Sequence, residues 1–265
     1  MLLVYPKMMF KRFVPTALKK PFWWLFKAPQ HRLGLFVYWV EIKGHLILLL
    51  TKLFSGKHKN LRPITICVSN KNRSDALINY LSESLLQAKY RNLIYLSVYD
   101  CGSDDADELA TTLKSKWGEH LYYETKFMPF ARSKAMNSAV RNAITEHVFI
   151  TDADVSLPID IVEKVNLFSA NNRIWFPVCQ AYNTIEETSK SWYTEGKGIL
   201  ACTRKQFEEV GGYDENFITW GGEDTDLWLR FWQKNYFCCR TNEKNLIHHW
   251  HLSVDGAAKQ WHEEK

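Results

Sequence analysis

The chain has 265 residues, 46% hydrophobic and 14% aromatic, ample for a packed core, and it contains no low-complexity tract or internal repeat. Its net charge of +5 conceals a split. Residues 1–62 carry 12 Lys/Arg against the single acid Glu41, a net +11, while residues 63–265 carry 22 Lys/Arg against 28 acids, a net −6. The six cysteines form no CxxC pair, and adjacent Cys238 and Cys239 suit a disulfide poorly, so they read as reduced, mostly buried thiols of a cytosolic-side protein.

Residues 1–62 form a basic, aromatic arm, "KKPFWWLFKAPQHRLGLFVYWVEIKGHLILLLTKLF" at its centre. It lacks the single short apolar core and the cleavage site of a signal peptide. The run 33–54 is long enough to span a bilayer, but Glu41, Lys43 and His45 interrupt its middle, and a charge there costs about 3 kcal/mol. A helix lying in the interface fits better, with Trp and Phe in the lipid and Lys/Arg on anionic headgroups. The alternative is a basic surface helix packed on the body. The aromatics cluster with aliphatics and are not interleaved with basic residues, which argues against nucleic acid as a partner.

The body, residues 63–265, begins at Pro63. "ITICVS" (64–69) reads as a buried strand, followed by a turn and a helix in "NKNRSDALINYLSESLLQ". "LIYLSVYD" (93–100) is the next strand, and a helix follows over 105–117. "RSKAMNSAVRNAI" (132–144) predicts a helix and "HVFITDAD" (147–154) a strand. Such alternation predicts an α/β fold, a doubly wound, mostly parallel sheet with helices on both faces. Ligands then bind at the carboxyl ends of the strands, where Asn70, Lys71, Arg73, Asp100, Asp152 and Asp154 fall.

Three clusters carry chemistry. In "ITDADVSLP", read as extended chain, Asp152 and Asp154 point the same way, and two close carboxylates suit a hard divalent ion with phosphate oxygens. "LIHHWHLS" delivers His248, His249 and His251 within four residues, candidate last ligands of the same ion; imidazole tolerates Mn2+ and suits Zn2+ better. "ITWGGEDTDLW" sets Trp220, Gly221 and Gly222 before Glu223, Asp224 and Asp226, at the start of a helix. A positioned carboxylate there can accept the proton of a hydroxyl nucleophile.

These blocks, with "VSNKNR", "FARSKAMNSAV" and "GILACTRKQFEEVGGYDENFITWGGEDTDLWLRFWQKN", resemble the GT-A-fold glycosyltransferases. The resemblance is family 2-like, with the C-terminal galactosyltransferase-type region of β-1,4-galactosyltransferases and bacterial chondroitin polymerases. It covers roughly residues 63–255 and leaves the arm without a counterpart. It implies a Rossmann-like nucleotide-sugar half at 63–155 and an acceptor half at 156–265. It implies an inverting, metal-dependent transfer of a hexosyl or N-acetylhexosaminyl unit from a UDP-linked sugar to a glycan or lipid-linked glycan.

The resemblance also implies roles at matching positions. Lys71, Arg73, Asp100, Phe130, Arg132 and Asp152 are assigned to the nucleotide, with Phe130 stacking on the base and Arg132 on the diphosphate. Trp220, Gly221, Gly222 and Glu223 are assigned to the acceptor. Asp224 is the implied general base, with Asp226 as the other candidate. Asp154, His251, His248 and Asp152 are the implied ligands of Mn2+ or another divalent cation such as Mg2+. His248 stands where the animal enzymes have Met, and His249 reads as structural. The arm predicts a peripheral enzyme at the cytoplasmic face of a membrane. The alternative is a catalytically idle carbohydrate-binding protein that retains the fold.

Overall fold

A computed structural model describes residues 60–169, 172–218 and 221–251. Nearly all of the arm, Trp220 and the last residues of the chain lie outside this set. Among the described residues no helix is long and apolar enough to cross a membrane.

Four parallel strands open the fold in the order β3-β2-β1-β4: β1 (Ile64–Asn70), β2 (Ile94–Asp100), β3 (Leu121–Thr125) and β4 (His147–Thr151). Their connections are helical. α1 runs over 74–86 with a π-helical centre at Leu77–Ser82, α2 is Ala106–Trp117 and α3 is Arg132–Arg141. The alternation read from the sequence therefore holds over 64–151, and helices cover both faces.

From β4 onward the sheet becomes mixed. β5 (Val155–Ser156) follows, then α4 (Ile161–Phe168), β6 (Arg173–Tyr182), β7 (Lys190–Trp192) and β8 (Leu200–Thr203). The chain ends in α5 (Arg204–Glu209), α6 (Glu223–Gln233) and β9 (Phe237–His248). β8 pairs antiparallel with β4 and extends the sheet through β6 and β9 to β5.

Period-two alternation divides the core. Ile64, Ile66 and Val68 of β1 face a cluster with α1, α2 and α4, through Leu81, Leu113 and Val165. Cys67, on the opposite face, joins Met136, Phe207, Trp228 and Phe231 from α3, α5 and α6. α6 buries Leu227, Trp228 and Phe231 on one stripe. Emptying a buried aromatic site of this kind costs about 3–5 kcal/mol. That packing fixes the helix whose first turn carries Glu223 and Asp224.

All six cysteines are buried and free, as the sequence predicts. Burial raises the Cys101 thiol to about 11 and the Cys238 thiol to about 12, so neither is a ready thiolate.

Candidate active site

The parallel register aligns Asn70 with Asp100 and Val68 with Thr151, so the carboxyl ends of β1, β2 and β4 share one edge. Asp100 lies there but is fully buried. Its Oδ1 accepts from Ser103 N (2.6 Å) and Thr125 Oγ1 (3.3 Å), and its Oδ2 from Asn70 Nδ2 (2.6 Å) and Ser103 Oγ (2.7 Å). Lys71 Nζ donates to Cys101 O (3.0 Å) and Gly102 O (2.6 Å). Both residues expected to face a nucleotide are thus turned into the 100–103 loop, which they hold in place. Phe130 is 44% exposed at the same edge.

The "DAD" segment departs from the extended reading. β4 ends at Thr151, and a turn follows before β5 begins at Val155. The turn separates the two carboxylates. Asp152 accepts from Arg132 Nε at 3.0 Å. Asp154 is buried and meets His251 Nε2 at 3.1 Å and His248 Nε2 at 3.5 Å. The ligand atoms of Asp154, His248 and His251 all lie within 4.8 Å of one another. Asp152, expected as a fourth ligand, stands outside this group.

β9 explains why the histidines reach Asp154. His248 pairs with Val155 across the β5–β9 ladder, and His249 N donates to Asp154 O at 2.9 Å. Arg73 Nη1 approaches Asp154 Oδ2 from the β1 side at 3.5 Å. Asp154 Oδ1 is buried with no hydrogen-bond partner among the described residues. A buried carboxylate oxygen left in that state is costly. A divalent cation would satisfy it, and one carboxylate with two imidazoles is a donor set such an ion accepts. These three residues therefore fit a metal ion.

Arg132 joins this half to the acidic loop. Its guanidinium touches Asp152, donates Nη2 to Gly198 O at 2.9 Å, and stands 3.6 Å from Glu223 Oε1. Burial alone would lower its pKa, but Asp152, Tyr213 and Glu223 outweigh burial and hold it above the usual arginine value. Its Nη1 is buried without a hydrogen-bond partner among the described residues.

Gly221 and Gly222 take φ of 103° and 94°, the left-handed region that suits glycine. Gly222 is the N-cap of α6, and Glu223 Oε2 accepts from Gly221 N at 3.1 Å. The first turn of a helix favours negative charge, which accounts for three acids there without a solvated charge run. Asp224 Oδ2 accepts from Lys197 N at 2.8 Å, and Oδ1 from Thr225 N (2.6 Å) and Thr225 Oγ1 (3.2 Å). Asp226 is instead bound by Arg230 through Nε (2.9 Å) and Nη2 (2.7 Å).

Residues 179–252 match the family model described as the N-terminal domain of galactosyltransferase. Mouse chondroitin sulfate N-acetylgalactosaminyltransferase 1 is 22% identical over 184 residues, 60% of this chain and 35% of that protein. Mouse β-1,4-galactosyltransferase 4 is 27% identical over 174 residues, 65% of this chain and 43% of that protein. The chain thus spans less than half the length of these relatives. Among solved structures, GalNAc-T7 with UDP, GalNAc and Mn2+ superposes with a TM-score of 0.60 at 14% identity, covering 74% of this chain and 45% of that one. The fold is GT-A. A second structure with it is the mannosyltransferase PcManGT from Pyrobaculum calidifontis with GDP-Man and Mn2+, with a TM-score of 0.54, 18% identity, and coverage of 85% and 66%.

Within this GT-A frame, the loop 194–198 stands between the two halves of the site, and its contacts were not visible in the sequence. Arg240 Nη2 donates to Thr194 O (2.6 Å) and Gly196 O (3.2 Å), Arg132 holds Gly198 O, and Asp224 holds Lys197 N. Burial and the charge of Arg240 lower the Lys197 ammonium pKa, with Asp224 and Glu195 acting the other way. His249, read as structural, accepts that role. Its ring lies between Ser156 Oγ and the Glu187 carboxylate.

Proposed function

We propose that the chain is an inverting, metal-dependent glycosyltransferase. It moves a hexosyl or N-acetylhexosaminyl unit from a UDP-linked sugar to a glycan or glycolipid acceptor. The observation that supports this most is the grouping of Asp154 with His248 and His251 in a GT-A fold, with Arg132 linking the neighbouring Asp152 to Glu223. Asp154, His248 and His251 would hold a Mn2+ or Mg2+ ion, which would supply charge neutralisation for a departing nucleoside diphosphate. Arg132 offers Nη1, which faces Glu223 Oε1 at 3.6 Å without a hydrogen bond among the described residues, to a phosphate oxygen, a role that suits a planar guanidinium. Arg73 adds positive charge on the β1 side.

Asp224 takes the proton from the acceptor hydroxyl. A carboxylate has about four lone-pair sites, and protein donors take three of those on Asp224. Its Oδ2 keeps one for the acceptor. Asp226 is committed to Arg230. Glu223 hydrogen-bonds acceptor hydroxyls, Phe130 stacks on the base, and Gly221 and Gly222 line the acceptor floor; Trp220, expected at the acceptor, lies outside the described residues. The test is a panel of nucleotide sugars screened for Mn2+-dependent hydrolysis, followed by an acceptor screen. Hydrolysis of UDP-hexoses or UDP-N-acetylhexosamines supports the reading; silence across the panel with Mn2+ present overturns it.

Gly198 makes the arginine's position testable. A Cβ there would sit 3.0 Å from Arg132 Nη2, a guanidinium already held by Asp152. Gly198→Ala is expected to lower transfer by roughly 10- to 100-fold through misplacement of Arg132, with a melting temperature close to the parent. An unchanged rate removes Arg132 from the mechanism.

The arm supports membrane attachment in the same proposal. Its +11 charge lies beside Phe22, Trp23, Trp24, Phe36 and Trp39, and each basic residue near an anionic surface contributes about 1 kcal/mol. The full chain is expected to bind anionic vesicles and to be largely released by salt, because exposed charges are screened beyond about 10 Å at 0.1 M. A chain starting at Leu61 keeps the contacts of Arg62 with Asn166 and is expected to lose vesicle binding. Equal sedimentation of the shortened chain with vesicles removes the arm as the anchor. Resistance to salt with release only by detergent makes it a span.

A further inference from the structure

We propose that His249, held by Glu187, is the positioning residue that fixes the spacing of Asp154, His248 and His251; the inference rests on the metal reading above. The ligands come from two separate chain segments, 154 and 248–251, and His249 ties these together. Its backbone N donates to Asp154 O at 2.9 Å. Its Nε2 lies 2.8 Å from Ser156 Oγ, two residues beyond Asp154. Its Nδ1 lies 3.0 and 3.1 Å from the two oxygens of Glu187. A carboxylate only accepts, so Nδ1 carries a proton, and Nε2 is hydrogen-bonded with the Ser156 hydroxyl.

Two further contacts restrain the ring and the backbone after it. Tyr80 stacks on His249 with centroids 3.6 Å apart and planes 3° apart. Tyr80 belongs to the π-helical centre of α1, an irregularity common at functional sites. Glu187 Oε1 also accepts from Trp250 N at 3.1 Å, so one carboxylate orients the ring and the peptide between His248 and His251. Glu187 sits at φ 51° in the β6–β7 connection, an uncommon backbone for a residue with a side chain. The His249 side chain is 12% exposed, is bonded to these partners and is not one of the ligand group.

Outer partners of this kind set ligand geometry, and their loss typically costs 10- to 100-fold in metal affinity. The test is Mn2+ titration of the full chain, with free Mn2+ read by electron paramagnetic resonance. His249→Phe keeps a ring for Tyr80 and removes both polar contacts. Glu187→Ala removes the anchor, and Glu187→Gln keeps an oxygen for Nδ1–H or Trp250 N. The expected result is a Kd for Mn2+ raised about 10- to 100-fold in His249→Phe and Glu187→Ala, with Glu187→Gln closer to the parent. Melting in metal-free buffer identifies any variant that fails to fold, in which case Glu187→Gln against the parent carries the test through a smaller shift in the same direction. A parent that binds Mn2+ and folded variants that match it overturn this inference alone. A parent that binds no Mn2+ overturns the metal reading and this inference together.

Discussion

Asp224→Asn is expected to reduce transfer by about 100-fold or more while leaving nucleotide-sugar binding close to the parent. The substitution keeps shape. An amide oxygen still accepts from Lys197 N or Thr225 N, the contacts that hold the side chain at 2.8 and 2.6 Å. It removes the capacity to take a proton, and positioned proton transfer contributes about 10²–10⁴-fold. The loss should fall on kcat, since the acceptor contacts proposed for Glu223 and the two glycines are kept. Asp226→Asn supplies the contrast. Its carboxylate is bound through two nitrogens of Arg230, whose Nη1 also holds Val210 O and Gly212 O. Its effect should appear as a lower melting temperature with the chemical step spared. Equal transfer rates in Asp224→Asn and the parent would sink the assignment of Asp224. A collapse of kcat in Asp226→Asn alone would move the base to Asp226.

Among the first four strands, β1, β2 and β4 were legible because they are buried on both faces, while the half-exposed β3 was not read. "ITICVS" and "LIYLSVYD" read as continuous apolar runs, and a parallel sheet needs such strands. The C-terminal half gave less. β6 and β9 are long strands of 10 and 12 residues, but neither carries a clean alternation, and β9 places Arg240, Thr241 and Glu243 inside. Those polar residues are buried because Arg240 reaches carbonyls of the 194–198 loop and Thr241 accepts from Trp175 Nε1 at 2.8 Å. No periodicity announces partners of that kind. The extended reading of "DAD" failed for a related reason: β4 loses its partner β1 beyond the pair Val68–Thr151, and the chain turns.

In the candidate site, some residue types draw notice from the sequence alone. Asp154, His248, His251, Glu223, Asp224 and Arg132 stand out by charge, imidazole or spacing. What stayed hidden are the backbone contacts. Lys197 enters through its N–H and Gly198 through its carbonyl, and neither is encoded by side-chain identity. Glu187 is hidden for a different reason, lying 62 residues from His249 in an exposed connection. Lys71 and Asp100, expected at the nucleotide, have partners that the sequence does not display. Polar residues at strand ends look available for a ligand, but a sharp loop needs donors and acceptors of its own, and these two supply them.

Asp154→Ala is expected to abolish Mn2+-dependent transfer, and a chelator is expected to do the same to the parent. Asp154 is the one carboxylate in the group, so its loss removes the negative charge that a divalent cation requires and leaves only the two imidazoles. His248→Ala or His251→Ala removes an imidazole donor and keeps that charge, so each should weaken binding less and respond to added Mn2+. Metal stabilisation of a leaving diphosphate supplies several kcal/mol, and about 4 kcal/mol corresponds to roughly three orders of magnitude in rate. The measurement is transfer against free Mn2+ for the parent and the three variants, with Mn2+ restored after chelation. The expected order of apparent Mn2+ affinity is parent, then either histidine variant, then Asp154→Ala. Full activity of the parent in excess chelator would overturn the metal-dependent reading. Asp154→Ala with parent-like Mn2+ binding would show that the ion sits elsewhere.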